Sequence, residues 1–108
     1  MPEDSCIFCA IVAGRVPATR VFEDEEFIAF KDIRPKAPVH YLVVPRRHTE
    51  RLDELADIAG QEGLGALFDA AVRSARATGL SDFRLAVNVG EAAGQEVFHT
   101  HVHVLAGW

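Results

Sequence analysis

The sequence predicts an α+β domain: a roughly five-stranded antiparallel sheet with one main helix and a short N-terminal helix. Three observations lead there. Leu64, Leu67, Phe68, Ala71, Val72 and Ala75 form an apolar stripe at the i, i+3, i+4, i+7 spacing of a helix. On either side of that stripe lie apolar or alternating stretches of strand length, separated by turn residues. Residues 98–105 alternate histidines with strand formers, placing His99, His101 and His103 at every second position. Successive strands with short connections pair antiparallel, and the main helix packs on one face of such a sheet.

Along the chain, residues 5–13 read as a short helix that Ser5 caps and Gly14 stops. Pro17 then excludes helix. Residues 20–23 and 27–31 read as strands around the acidic turn Asp24-Glu25-Glu26. Residues 32–38, with Pro35 and Pro38, form an irregular loop, and 40–44 a strongly apolar strand closed by Pro45. A short helix over 52–58 ends near Gly60; the main helix covers 64–77, with Gly79 at its stop. Residues 83–89 alternate through Phe83, Leu85, Val87 and Val89 as a strand. A glycine-bearing turn over 90–95 leads into the histidine strand. No repeat, low-complexity tract or linker interrupts this order, so residues 1–108 are one domain, large enough for one core.

A net charge of −5 argues against a general nucleic-acid or acidic-lipid surface. No apolar run reaches membrane-spanning length, and the acidic start is unlike a signal peptide, so the expected location is cytoplasmic. Cys6 and Cys9 are too close for an ordinary disulfide; a C-x-x-C pair in such a chain binds metal, serves redox chemistry or fills core.

The histidine row carries the chemistry. At about 3.3 Å per residue, next-but-one side chains stand roughly 7 Å apart, close enough for adjacent imidazoles to reach one small anion. The outer two, roughly 13 Å apart, do not share it, so the row has more than one job. A neutral imidazole can attack phosphorus while its neighbours donate N–H to phosphate oxygens or the leaving group. His101, with a neighbour on each side, is the natural nucleophile, and His103 and His40 the phosphate holders. The competing readings are a solvated strand face and a metal site on His99, His101 and His103. Asn88 with Gly90, Gly94 and Gln95 forms either an anion-binding nest or a plain hairpin turn. Asp32 either takes ribose hydroxyls, with Ile33 and Phe8 facing a base, or caps its own loop. Cys6 and Cys9, one helical turn apart, need two more ligands for a tetrahedral zinc site, and His48 and His99 are the candidates.

At these residues the chain resembles the histidine triad family, in its nucleotide-binding (Hint) branch. The likeness rests on residues 6–9, 30–48, 88–90, 94–95 and above all 99–105, where the family pattern is His-φ-His-φ-His-φ-φ with φ apolar. Thr100 is a mild departure. The resemblance implies a homodimer with sheets joined across the interface, and hydrolysis of purine nucleoside phosphoramidates or related AMP esters and anhydrides without a catalytic metal. It implies His101 as the nucleophile that becomes nucleotidylated, His103 and His40 at the phosphate, and the His99 carbonyl orienting His101. It further implies Asp32 at ribose, Ile33 and Phe8 at the base, and Asn88, Gly94 and Gln95 at phosphate. A structural Zn2+ on Cys6, Cys9, His48 and His99 completes the set.

Two departures bear on substrate. Glu96 stands where the family often has a hydroxyl; its carboxylate repels an anionic leaving group and suits a cationic amine, or else points away. The chain closes on Ala106-Gly107-Trp108, where many members continue to a Trp-Pro-Pro tail that shapes substrate choice. The alternative function is a nucleotide-sensing or interaction module without turnover. For the enzyme, an ordinary histidine pKa near 6.5 predicts activity falling as pH drops through about 5 to 6.

Overall fold

The computed structural model describes residues 5–108. Helix α1 (Ile7–Val12) precedes β1 (Arg20–Glu23), β2 (Phe27–Lys31) and β3 (Val39–Pro45). The long helix α2 (Leu52–Ala77) follows, then β4 (Arg84–Ala86) and β5 (Val102–Ala106). The strands form one five-stranded antiparallel sheet in the order β1-β2-β3-β5-β4. This is the expected α+β architecture.

Strand parity gives the sheet two unlike faces. Phe27, Ala29, Tyr41, Val43, Val102 and Val104 pack against Leu55, Leu67, Ala70, Ala71 and Ala75 of α2. Burying each large aliphatic of that set stabilises by roughly 1.5–3 kcal/mol. Ile28, Phe30, Leu42 and Val44 take the opposite face, under Phe8 and Ile11 of α1. His40 shares parity with Leu42, and His103 lies opposite Leu42 across the β3–β5 ladder. Both histidines therefore face away from α2.

Helix α1 has six residues, too short to persist alone. Its apolar side chains and its cap hold it. The N-cap is Cys6, not Ser5: the Cys6 backbone is extended and its sulfur accepts the Cys9 N–H at 3.4 Å.

The two expected helices over 52–58 and 64–77 meet within α2, with the intervening residues other than Gly60 helical as well. Gly60 breaks the run with φ 62° and ψ −156°, so the expected boundary is a kink. Expected strand 83–89 is reduced to β4, and the histidine strand 98–105 to β5. One cause explains both. Extending the β3–β5 register would set Thr100 opposite Pro45, which has no N–H for the ladder. The Thr100 N–H instead donates to the Thr49 carbonyl at 2.8 Å, and the two threonine hydroxyls meet at 2.7 Å. With β5 starting at Val102, the β4–β5 register has no partner to offer beyond Val87. Phe83, Leu85 and Val87 still pack toward α2, so the alternation was read correctly where the ladder was not. Among the described residues, no helix is long and apolar enough to cross a membrane.

Candidate functional site

The histidines occupy the sheet face opposite α2, and their neighbours fix where each proton sits. The Lys36 backbone N–H donates to His40 Nδ1 at 3.0 Å. His40 in its neutral form therefore carries its proton on Nε2, 2.9 Å from His103 Nδ1, and donates there. His103 must then hold its own proton on Nε2, a buried N–H with no hydrogen-bond partner among the described residues. His101 works the other way. Its Nδ1–H donates to the His99 carbonyl at 2.7 Å, which leaves Nε2 as a bare lone pair. The His101 and His103 rings stand 4.9 Å apart between centroids. A lone pair and a donor thus lie side by side.

Burial keeps these rings neutral. It pushes His103 down to about 4, with neighbouring His101 and His40 adding to the effect and Asp32 opposing it. Burial likewise lowers His101, against the His99 carbonyl and Asp32, and lowers His40, against Asp32. The edge of Phe8 packs on His101 at 5.2 Å between ring centroids and also reaches Phe30 at 5.4 Å.

His99 departs from the row. Its Nε2–H donates to the Pro45 carbonyl at 2.7 Å, so Nδ1 is the lone pair. That nitrogen lies 3.4 Å from Cys6 Sγ, 3.5 Å from Cys9 Sγ and 3.3 Å from His48 Nδ1, while Cys9 Sγ is 3.2 Å from His48 Nδ1. Two sulfurs and two imidazole nitrogens converge within 4.8 Å of one another, a set that could hold a metal ion. The donor chemistry fits: soft thiolates, a His99 tautomer locked by a backbone carbonyl, and a mostly buried setting. Burial pushes metal-free His99 down to about 4, with the Pro45 carbonyl opposing and His48 adding. With both His99 nitrogens committed, His99, His101 and His103 do not converge on a single ion.

Asp32, His40 and His103 also bring three potential ligand atoms together. Here the tautomer argues otherwise. Lys36 holds the proton of His40 on Nε2, the atom that faces both Asp32 Oδ2 at 3.5 Å and His103. This is a proton-ordered hydrogen-bond cluster.

A cleft of about 420 Å³ opens over His101 and His103. Phe8, Asp32, Ile33, Asn88, Gly94 and Glu96 line it. Asp32 caps its own loop, Oδ1 accepting the Arg34 N–H at 2.9 Å, and the residue also lines the cleft. Ile33 is 90% exposed at the lip. His40 and His99 are absent from the wall; His40 is hydrogen-bonded to His103, and the His99 carbonyl to His101.

Gln95 is a correction. It is buried beneath the turn and absent from the cleft wall. Its side chain accepts from the Gly90 N–H at 2.8 Å and donates to the Glu50 and Val97 carbonyls at 2.7 and 3.0 Å. Its side chain is directed inward and clamps the turn. The turn is a single 3₁₀ turn, Glu91–Ala93, between Gly90 at φ 91° and Gly94 at φ 94°, the positive values that require glycine.

Sequence reasoning missed the apolar wall of Ile7, Ile11, Val16, Pro17, Ala18 and Val97. The i, i+4 pair Ile7 and Ile11 flanking Phe8 was its available signal. It also missed Lys36, whose role is carried by a backbone N–H that no side-chain motif encodes.

The HIT domain family model matches residues 13–108. Protein HitA of Neisseria gonorrhoeae is 44% identical over 103 residues, spanning 94% of this chain and 95% of that protein. A HIT family hydrolase from Legionella pneumophila is 43% identical with a TM-score of 0.87, covering 96% of this chain and 94% of the other. A Zn-bound histidine triad family protein from Mycobacterium smegmatis is 40% identical with a TM-score of 0.78, covering 96% of this chain and 76% of its own. With its histidines ordered on one sheet face and nearly all of its length matched in sequence and fold, the chain belongs to the HIT family.

Proposed function

We propose that the protein is a hydrolase of the Hint branch that binds purine nucleotides and cleaves nucleoside 5′-phosphoramidates or related AMP esters and anhydrides. The observation that carries this reading is the proton order: a bare His101 Nε2 beside an unpartnered His103 Nε2–H on one cleft. The His101 lone pair attacks the α-phosphorus, while the His103 N–H donates to a phosphoryl oxygen. The P–N bond breaks with its electron pair on the amine nitrogen, which takes a proton from solvent. Water then forms the new P–O bond, the P–Nε2 pair returns to His101, and the surplus proton leaves to solvent. Asp32 is suited to ribose hydroxyls, and Phe8 and Ile33 to the base.

Cys6, Cys9, His48 and His99 would hold a zinc ion, a structural tie between α1 and the segment that carries His101. The reaction itself runs on imidazoles and water. Two copies would form a dimer by extending the sheet.

The test is to mix the protein with adenosine 5′-phosphoramidate and follow AMP release and intact mass. Turnover, with an adenylated species accumulating in His103→Ala, is expected. An inert wild type with no adduct in His103→Ala ends the enzyme reading. Tight AMP binding with negligible turnover across phosphoramidates would favour a binding module, for which Glu96 on the cleft wall is the supporting observation.

A further inference from the structure

Among the described residues, five charged ones line the cleft: Lys31, Asp32, Arg34, Lys36 and Glu96. The sheet register separates them. Lys31 lies opposite Tyr41, which lies opposite Val104, and Val39 is opposite Ala106; loop 32–38 therefore leaves the sheet at the C-terminal end of β5. β4 runs the other way, with Ala86 opposite His103, so Asn88 and the segment up to Glu96 lie beyond the N-terminal end of β5. The three cations sit with the ribose candidate Asp32 at one end. Glu96 sits with Asn88 and Gly94 at the other, and His101 and His103 lie between.

Glu96 is held in place. Its predecessor Gln95 is clamped by three hydrogen bonds, and its successor Val97 packs against the core around Phe8. The Asp32 carboxylate is engaged by the Arg34 N–H and by His40. The Glu96 carboxylate, among the described residues, has no hydrogen-bond or ion-pair partner, and it is exposed to the cleft.

Resting on the phosphoramidate reading above, we infer that Glu96 selects the leaving group: the preferred substrates are nucleoside phosphoramidates whose departing amine carries a second, positively charged ammonium group. The nucleoside occupies the Asp32 end and phosphorus sits at the histidines. The departing group then extends toward Glu96. As His101 Nε2 bonds to phosphorus, the P–N bond breaks with its pair on the departing nitrogen, which is protonated from solvent. The distal ammonium stays protonated throughout and faces the carboxylate. An anionic leaving group meets like charge instead. For an exposed carboxylate a few ångströms from the second charge, the discrimination is roughly 2- to 5-fold in each direction from neutral.

The experiment uses three adenosine 5′-phosphoramidates of equal linker length, N-linked to amines that end in an ammonium, a hydroxyl or a carboxylate. kcat/KM is measured for wild type, Glu96→Gln and Glu96→Lys, at low and high salt. Wild type should rank ammonium over hydroxyl over carboxylate, and the spread should shrink with salt. The ammonium-to-carboxylate ratio should collapse toward one in Glu96→Gln and invert in Glu96→Lys. A wild-type ratio that survives in both variants, or is absent from the start, overturns the role of Glu96 while the phosphoramidase reading stands. Failure of wild type to cleave any of the three overturns both.

Discussion

His101 donates its Nδ1–H to the backbone carbonyl of His99 across 2.7 Å. That bond ties the candidate nucleophile to the residue whose ring faces Cys6, Cys9 and His48. Phe8 spans the same gap from α1, with ring centroids 5.9 Å from His99 and 5.2 Å from His101. The candidate metal centre and the cleft therefore share a wall.

Metal removal should be felt in the cleft. One zinc per chain is expected by elemental analysis, and chelation should lower the Tm and raise hydrogen exchange in α1, residues 7–12. AMP binding should weaken with it, because Phe8 and Ile7 ride on that helix. Linkage requires AMP to tighten metal binding by the same factor. Cys9→Ser should show the same loss without chelator. AMP affinity unchanged in a metal-free, folded protein would mean that the two sites are uncoupled.

His40 is predicted to act through His103. Replacing it with Ala removes the N–H that holds His103 Nδ1 as acceptor, so the His103 proton is free to move off Nε2. A loss of roughly 10- to 100-fold in kcat is expected, the scale of a misplaced catalytic group. The diagnostic readout is the ¹⁵N shifts of His103: one tautomer in wild type, a mixture in His40→Ala. A single unchanged tautomer would show that His103 is ordered by something else.

The pH profile follows from burial. An ordinary histidine would place the acid limb of activity near 6.5, but burial lowers His101 and brings His103 to about 4. Activity should stay level from pH 8 to 6 and fall toward pH 4. An acid limb centred near 6.5 would contradict the buried geometry. Stability carries the same sign. His99 in the metal-free protein has a folded pKa of about 4 against an unfolded value near 6.5, so the unfolded chain binds the proton first as pH drops. Its stabilising contribution is complete above about 6.5 and is lost progressively down to about 4, about 3 kcal/mol in all. Urea unfolding of metal-free protein at a series of pH values measures the slope.

The strands, both helix faces and the members of the Cys/His cluster were legible because each is written in side-chain spacing. Period 2 put His101 and His103 together, and C-x-x-C put two thiols on one short helix. What sequence could not carry lies in the backbone. The Lys36 N–H sets the His40 tautomer, the Pro45 carbonyl turns His99 toward the cysteines, and the missing N–H of Pro45 ends the ladder before His101. Gln95 was misassigned for a related reason: a polar residue in a glycine turn reads alike whether it faces a ligand or the Gly90 N–H.

The kink in α2 gives a prediction with opposite signs at neighbouring glycines. Gly60 has φ +62° and ψ −156°, a region all but confined to glycine, with open space around a would-be Cβ, so Gly60→Ala meets only backbone strain and should cost roughly 1–3 kcal/mol. Gly65, five residues on, has no positive φ and nothing within 4 Å of an added Cβ. There, Gly65→Ala removes unfolded-state entropy at no steric cost and should stabilise by roughly 0.5–1 kcal/mol. At Gly63 an added Cβ would collide with the Cβ of Ala59, a residue packed on the core and unable to move away freely, so Gly63→Ala should destabilise. Denaturant melts with a common m-value compare the three. If Gly60→Ala were as stabilising as Gly65→Ala, the helix would run straight through residue 60 and the kink would be absent in solution.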